Sequence, residues 1–218
     1  MFSLQNKSAV ITGGGSGIGK AIAVLFAKQG AAVHIIDLDE QSASATVNEI
    51  QGDGGKASYH ICNVSQQQQV LDTFNAIGQI DILVNNAGIA HIGAAATTSE
   101  ADFDRVMNVN VKGAYNCLFA AIPLMKAKGG GVILNTASIA ASVGLVDRFA
   151  YSTSKGAIFA MTLSVARDYL HDNIRCNSIS PARVHTPFVD GFIAKNYAGQ
   201  EEEMFDKLEP SIQAILGK

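Results

Sequence analysis

Short apolar runs rich in β-branched residues alternate along the chain with longer stretches in which apolar positions recur every three or four residues. The short runs are typical of buried strands, and the longer stretches are typical of helices packed on one face. Strands are predicted at 9–12, 32–36, 58–61, 80–84, 131–135 and 174–179. Helices are predicted between them, the clearest at 18–29, 39–50, 111–126 and 151–170.

Strand–helix–strand units repeated in this order predict an α/β fold. Crossovers between parallel strands are right-handed, so few topologies remain. We predict a single domain over residues 1–218, a Rossmann-type doubly wound parallel sheet of six or seven strands with helices on both faces. Ser65 and Ser99 each precede a predicted helix, and both are predicted to cap it.

The composition limits the binding partners and the cellular location that we expect for this protein. The net charge is −3 and no run of Lys or Arg is present, so no nucleic-acid partner is expected. The three cysteines form no Cys-x-x-Cys pair and the histidines are scattered, so neither a disulfide framework nor a metal site is expected. No apolar run approaches the roughly 18 residues of a membrane span, and the first residues lack the pattern of a signal peptide. We therefore expect a cytoplasmic protein without a membrane partner.

A glycine-rich segment at 12–19 joins the first predicted strand to the first predicted helix. Glycines allow a tight turn and a close approach to a pyrophosphate, which the N–H groups of the helix N-terminus can then bind. A flexible turn is the alternative interpretation of a glycine cluster. The position between strand and helix favours a dinucleotide site.

Asp37 ends the second predicted strand, 18 residues beyond Gly19. A carboxylate at this position can bind a ribose 2′-hydroxyl and repels a 2′-phosphate. No Lys or Arg lies beside it, and Ser16 stands where a basic residue could otherwise meet that phosphate. The sequence therefore predicts NAD rather than NADP, with capping of the next helix as the alternative role for Asp37.

Five motifs in order resemble the short-chain dehydrogenase/reductase family over residues 6 to about 188. They are the Thr-Gly-x-x-x-Gly-x-Gly segment at 12–19, Asn-Asn-Ala-Gly at 85–88, Asn110 in Val-Asn-Val-Lys-Gly, Ser138 at the end of the fifth strand, and Tyr151-x-x-x-Lys155. The tyrosine lies 13 residues beyond the serine. The resemblance implies an oxidoreductase that transfers a hydride between NAD(H) and an alcohol or ketone.

The resemblance also implies roles for single residues. Ser138 is expected to bind the substrate oxygen, Tyr151 to act as general acid or base, and Asn110 to hold a water that relays protons from Lys155. Cofactor contacts are expected from the loops at the carboxyl ends of the strands, namely Gly13, Ser16, Gly17, Ile18, Gly19, Asp37, Asn63, Val64, Asn86, Ala87, Gly88, Tyr151, Lys155, Pro181, Val184 and Thr186.

Tyr151 and Lys155 are four residues apart, so a helix presents both on one face. A tyrosine has an ordinary pKa near 10 and is a weak base at neutral pH. An ammonium about 4 Å away, together with a positive nicotinamide ring, is expected to lower that pKa. Tyr151 then becomes a usable proton acceptor.

Arg148 precedes Tyr151 by three residues, as in a subgroup of the family that includes 3-hydroxybutyrate and 2-keto-3-deoxy-fuconate dehydrogenases. A guanidinium there suits a substrate carboxylate. His91 is the second candidate to reach the substrate, and 188–210 is the expected substrate lid. A surface ion pair for Arg148 and a solvated loop position for His91 are the alternatives. A neutral sugar or polyol substrate remains the alternative function.

Three departures from the family pattern stand out. Asn63 replaces the Asp expected near the adenine, where its side-chain oxygen could still accept from the adenine amine, and Ala182 replaces a glycine. The last residues do not resemble the family's ending, so its final helix and strand are expected to be absent. A truncated NAD-binding chain with little activity is therefore a further alternative. The resemblance implies a homodimer through 111–126 and 151–170, and leaves a tetramer undecided.

Overall fold

The computed structural model describes residues 2–182 together with Val184, Thr186, Ala194 and Gly199. Apart from Ala194 and Gly199, the predicted lid at 188–210 lies outside the described residues. The prediction about the family's final helix and strand also lies outside them.

In the part of the chain that the structure describes, six parallel strands form one sheet in the order β3-β2-β1-β4-β5-β6. The fold prediction is therefore confirmed. The strands are β1 Ser8–Thr12, β2 Ala32–Asp37, β3 Lys56–Ile61, β4 Ile82–Asn85, β5 Gly131–Thr136 and β6 Ile174–Ile179. The chain runs outward from β1 to β3 and then returns to add β4 on the other side. This reversal opens a crevice at the carboxyl ends of β1 and β4, where ligands bind in such sheets.

Helices cover both faces of the sheet. They are α1 Gly17–Lys28, α2 Glu40–Gly52, α3 Gln67–Ile77, α4 Glu100–Met107, α5 Gly113–Ala127 and α6 Phe149–Asp168. A π-helical turn, Asn108–Lys112, joins α4 to α5 without a break, and a short 3₁₀ turn, Ile139–Ala141, follows β5. No helix among the described residues is long and apolar enough to cross a membrane.

The central strand β1 shows why the short runs are apolar throughout. Ala9 and Ile11 pack with α1 and α2 on one face, whereas Val10 packs with α3, α5 and α6 on the other. All three side chains are fully buried. A strand covered on both faces has no polar alternation, which is the pattern expected for a parallel sheet.

Element ends differ from the sequence prediction in a few places. The N-cap of α3 is Gln66, so the prediction of Ser65 was wrong. Both donors of Ser65, its N–H and its hydroxyl, are bound by the side-chain oxygen of Asn63, which holds this serine in a turn before the helix. Ser99 caps α4 as predicted, since its hydroxyl accepts from the Asp102 N–H at 3.1 Å.

Candidate active site

A cavity of about 320 Å³ opens at the carboxyl ends of β1, β2, β4 and β5. It brings together most of the residues that the sequence analysis assigned to a cofactor, which are Gly13, Ser16, Gly17, Ile18, Asp37, Asn63, Val64, Asn86, Ala87, Gly88, Tyr151, Lys155 and Thr186. Three predicted cofactor residues are not part of the cavity lining. Gly19 packs behind it against the Gly13 carbonyl, and the Pro181 carbonyl accepts a hydrogen bond from the Ile139 N–H. Val184 borders a neighbouring open groove.

The glycine-rich loop needs its glycines for two reasons. Gly13 and Gly17 have φ values of +65° and +52°, which side chains disfavour. A Cβ on Gly13 would also come within 3.0 Å of the Ala87 Cα, and one on Gly19 would overlap the Gly13 carbonyl. The loop is therefore packed directly against the loop that follows β4.

The start of α1 differs from the starts of α2 and α4. Asp39 and Ser99 cap α2 and α4 with their side chains, but Ser16 makes no capping hydrogen bond to α1. The first turn of α1 also holds no acidic residue. Its N–H groups and positive dipole end are thus left for an anion, and the site fits the pyrophosphate of a dinucleotide.

Asp37 is held at the cavity wall by backbone donors. One carboxylate oxygen accepts from the Gly15 N–H at 2.9 Å, and the other accepts from the N–H groups of Leu38 and Asp39 at 2.8 and 3.2 Å. The helix α2 is capped by Asp39, so the alternative capping role for Asp37 does not apply. A fixed negative charge therefore faces the cavity beside the phosphate loop.

Thr12 ties the two loops of the crevice together, a role beyond the phosphate contact expected for the segment that contains it. Its hydroxyl accepts from the N–H groups of Asn86 and Ala87, each at 3.0 Å. In return, the Asn86 side-chain amide donates to the carbonyls of Thr12 and Gly13, each at 3.2 Å. The signal was present, because Thr12 is the first residue of the glycine motif.

Asn63 lines the cavity, but its side-chain oxygen is already engaged. That oxygen accepts from the N–H of Ser65 at 3.0 Å and from its hydroxyl at 2.8 Å. An amide oxygen has two lone pairs, and both are used here. The expected acceptance from an adenine amine therefore does not fit this arrangement, and Asn63 instead shapes the turn before α3.

Tyr151 and Lys155 project from the first turns of α6 into the cavity. The Lys155 ammonium lies 5.7 Å from the centroid of the Tyr151 ring and donates to the Thr136 carbonyl at 2.7 Å. Ser138 follows β5, is buried, and forms a hydrogen bond with Tyr151. The three predicted catalytic side chains thus meet where β5 ends.

Asn110 lies in the π-helical turn and is buried. Its side chain accepts from the Ile89 N–H at 2.8 Å and donates to the Ile89 carbonyl and to the Ser154 hydroxyl, each at 2.9 Å. A Cβ on Gly88 would lie 3.2 Å from the Asn110 side-chain oxygen and 3.6 Å from the Lys155 ammonium nitrogen. Asn110 therefore fixes the loop after β4 against α6. Ser154, which carries one of these contacts, was not singled out from the sequence.

Burial shifts the pKa values of Tyr151 and Lys155, and the direction for Tyr151 is opposite to the expectation. Burial raises the pKa of Tyr151, and this outweighs the hydrogen bond from Ser138 and the charge of Arg148, which lower it. Burial also lowers the pKa of Lys155 to about 8. The expected lowering of the Tyr151 pKa by Lys155 was wrong for the cofactor-free chain, because desolvation of the phenolate dominates and Lys155 points at Thr136.

The two candidate substrate residues occupy different environments. Arg148 stands at the N-cap of α6, donates to the Asp147 carbonyl at 2.9 Å, and lies near enough to Tyr151 for its charge to lower the pKa of that residue. His91 does not line the cavity. Its Nδ1 lies 3.6 Å from a carboxylate oxygen of Asp102, and its Nε2 is buried and has no hydrogen-bond partner among the described residues.

Comparison with known proteins agrees with this geometry. Residues 7–196 match the family model described as short chain dehydrogenase. The chain belongs to this family. As a short-chain dehydrogenase it is an oxidoreductase, and the order of its motifs follows from that membership.

Individual relatives extend the likeness along the chain. An uncharacterized oxidoreductase of Thermotoga maritima is 41% identical over 221 residues, which cover 100% of this chain and 87% of the relative. The crystal structure of a short-chain dehydrogenase/reductase from Burkholderia xenovorans has a TM-score of 0.90 at 33% identity, covering 95% of this chain and 82% of that one. An NAD⁺-bound xylitol dehydrogenase has a TM-score of 0.82 at 34% identity, covering 85% and 73%.

Proposed function

We propose that this short-chain dehydrogenase uses NAD(H) to oxidise or form the alcohol of a small hydroxy acid or sugar acid. The position of Arg148 supports this substrate class. Arg148 lies three residues before the catalytic tyrosine, and its guanidinium is close enough to lower the pKa of that tyrosine. A planar fork of N–H donors suits a carboxylate better than a neutral hydroxyl.

The choice of NAD rests on Asp37. Its carboxylate lines the cavity beside the phosphate loop and is fixed by three backbone N–H groups. A fixed negative charge favours a ribose hydroxyl and opposes a 2′-phosphate. The NAD⁺-bound xylitol dehydrogenase, which shares the fold, is consistent with this choice.

The chain's own residues handle the proton. In alcohol oxidation the phenolate of Tyr151 accepts the proton of the substrate hydroxyl, while the Ser138 hydroxyl donates a hydrogen bond to the same oxygen. Arg148 holds the carboxylate, and Lys155 donates to the Thr136 carbonyl at the end of β5, beside the Tyr151 ring. NAD(H), when bound, supplies the hydride acceptor or donor. In carbonyl reduction Tyr151 returns the proton.

The test compares Arg148→Ala with Arg167→Ala, an exposed arginine farther along α6. We expect Arg148→Ala to raise KM for hydroxy acids by about tenfold, since a charge-assisted hydrogen bond is lost, and to leave KM for neutral alcohols unchanged. Arg167→Ala serves as the matched control and should behave as the wild type. Equal KM values for acids in both variants would contradict the role of Arg148.

A neutral polyol or sugar alcohol is the second candidate substrate. The fold shared with a xylitol dehydrogenase at 34% identity favours it, as does the hydrogen bond that Arg148 makes within its own loop. A substrate panel measured as NADH production separates the two. Turnover of polyols alone, unaffected by Arg148→Ala, would support this second candidate.

We further propose that two copies pair through α5 and α6. Tyr115 and Phe119 on α5 expose about half of their side chains, with ring centroids 6.0 Å apart, and Phe159 and Leu163 are similarly exposed on α6. Contiguous exposed apolar surface of this kind marks an interface. Light scattering should give a dimer for the wild type and a monomer for Phe159→Glu. Phe2→Glu, an exposed aromatic at the other end of the chain, is the control.

A further inference from the structure

The loop that follows β4 is joined to the loop before α6 by a single backbone bridge. The Gly93 N–H donates to the Asp147 carbonyl at 3.1 Å, and the Phe149 N–H donates to the Gly93 carbonyl at 3.0 Å. The two bonds flank Arg148 on either side. The backbone of the residue assigned to substrate recognition is therefore fixed by one glycine.

No other residue type fits at position 93. A Cβ there would come within 2.6 Å of the Thr98 hydroxyl oxygen and 3.0 Å of the His91 Nε2 atom. Neither neighbour can easily move away, because the Thr98 hydroxyl donates to the Ala94 carbonyl at 2.9 Å and Asp102 lies 3.6 Å from the other His91 nitrogen. The close packing of these side chains against Gly93 brings its backbone within reach of Asp147 and Phe149.

The segment held by this bridge has an unusual conformation. Asp147 has a φ of +53°, in the left-handed region that Asp and Asn enter more readily than other non-glycine residues but still adopt uncommonly. Arg148 follows with φ −128° and ψ 28° as the N-cap of α6, and Tyr151 lies in the first turn of that helix. The bridge thus holds a strained turn that sets where the guanidinium leaves the backbone.

We propose that Gly93 is a positioning residue, whose two backbone hydrogen bonds hold Arg148 beside the reacting oxygen and so set the preference for anionic substrates. This inference rests on the proposed role of Arg148 in binding a carboxylate. It also assigns His91 a different role from the expected substrate contact. The imidazole packs under Gly93 and, with Asp102, supports the bridge.

The test compares Gly93→Ala with Gly144→Ala, a glycine of the neighbouring loop whose Cβ would meet no atom of the described residues within 4 Å. We expect Gly93→Ala to raise KM for hydroxy acids by about tenfold, as Arg148→Ala does, and to leave KM for neutral alcohols and the Kd of NADH unchanged. Gly144→Ala should match the wild type in every measurement.

A second measurement separates positioning from simple support of the fold. The Arg148 charge lowers the pKa of Tyr151, and Lys155 is the other cation facing that ring among the described residues. Displacing Arg148 should therefore move the rising limb of the pH profile for alcohol oxidation to higher pH. The same shift is measured without substrate, as the phenolate absorbance difference between each variant and its Tyr151→Phe counterpart during a pH titration.

Two double variants complete the design. In the first, adding Gly93→Ala to Arg148→Ala should not raise KM for hydroxy acids any further, since the residue being positioned is gone. The second double variant, Gly93→Ala with Thr98→Ala, removes the closest clash. Its KM for hydroxy acids should return part of the way to the wild-type value, even where the single variant folds poorly. Additive effects in the first, or no rescue in the second, would overturn the proposal.

The two proposals fail in different ways. If Arg148→Ala leaves KM for acids unchanged but both Gly93→Ala and Arg148→Ala shift the tyrosine titration, Gly93 positions Arg148 and only the carboxylate-binding role is wrong. If Arg148→Ala shifts the titration and Gly93→Ala does not, the positioning role of Gly93 is overturned.

Discussion

The two walls of the crevice are held together in different ways. On the cofactor side, the loops after β1 and β4 are joined by side chains, with Thr12 and Asn86 making reciprocal hydrogen bonds. On the substrate side, the loop after β4 and the turn before α6 are joined by backbone hydrogen bonds on both sides of Gly93. That side also exposes apolar side chains, Val146 at 88% among them.

This difference determines which amino-acid substitutions each wall can tolerate. Side chains that bind backbone in a fixed pattern require particular residue types, so the cofactor side is constrained at each position. The backbone bridge constrains Gly93 and the side chains packed against it, His91 and Thr98, more than the exposed side chains of the turn that it holds. Substrate choice can therefore change in this fold while cofactor binding stays constant, as expected where function is carried by loops on a rigid scaffold.

The largest expected effect separates chemistry from cofactor binding. Tyr151→Phe removes the proton acceptor, and we expect kcat to fall by about 10³-fold. The Kd of NADH, measured by fluorescence titration, should stay unchanged because the glycine loop and Asp37 are intact. Tyr169→Phe, at the far end of α6, is the control and should keep full activity. Retained turnover in Tyr151→Phe would contradict the mechanism.

Breaking the side-chain contacts of the cofactor wall should cost stability. Thr12→Val leaves the N–H groups of Asn86 and Ala87 without their acceptor, and we expect a loss of about 2 kcal/mol in the free energy of unfolding. The Kd of NADH should rise in parallel. Thr12→Ser keeps the hydroxyl and should retain wild-type stability in urea unfolding. If Thr12→Ser loses stability and Thr12→Val does not, Thr12 matters through its methyl group instead.

Cofactor selectivity should depend on the charge of one residue. Asp37→Asn keeps the shape and an oxygen that can still accept from the Gly15 N–H, but removes the repulsion of a 2′-phosphate. We expect the ratio of NADPH to NADH dissociation constants to fall by about tenfold. Asp53→Asn, on the exposed end of α2, controls for net charge. An unchanged ratio would show that selectivity resides elsewhere in the loop.

The smallest expected effect concerns the free energy of unfolding that is lost by burying the Lys155 ammonium in α6. Since burial lowers the pKa of Lys155 to about 8 from its ordinary 10.5, the folded chain binds fewer protons than the unfolded chain between these values. Wild-type stability should therefore rise with pH across that window. Lys155→Met should be about 1 kcal/mol more stable at neutral pH, an advantage that shrinks as the pH increases.

Urea unfolding of the cofactor-free proteins at several pH values measures this difference. Lys112→Met, which removes an exposed lysine near the start of α5, is the matched control and should follow the wild-type curve. A Lys155→Met advantage that does not vary with pH would mean that packing, and not the buried charge, explains it.

The sheet could be predicted from the sequence because its central strands β1 and β4 are buried on both faces, while the edge strands β3 and β6, which are partly exposed, still lie at the regular spacing between helices. Six apolar runs therefore stood out, and their ends were displaced by only a few residues, as for β4, which begins at Ile82 rather than at residue 80. Asp37 and the glycine loop could be placed because strand ends meet at the crevice. The N-cap of α3 was missed because the Asn63 side chain binds Ser65 in a turn before the helix, so that α3 begins one residue later, with Gln66 as its N-cap.

The remaining features depend on distances that no local pattern encodes. The backbone bridge from Gly93 to the turn at Arg148 joins residues 55 apart in the chain. The direction of the Tyr151 pKa shift depends on how deeply α6 buries the ring, whereas the spacing to Lys155 indicated only that the two share a face. Thr12 lay within a recognised motif, yet its partners follow from the packing of two loops.

The π-helical turn at Asn108–Lys112 has a consequence for how this chain tolerates length changes. Its hydrogen bonds span five residues instead of four, so it holds one residue more than a regular helical turn. Deleting one residue there would let α4 and α5 continue as an ordinary α-helix with their buried faces aligned. The same deletion would withdraw Asn110 from Ile89 and Ser154. At this point a shortened chain can keep its architecture and lose its active site.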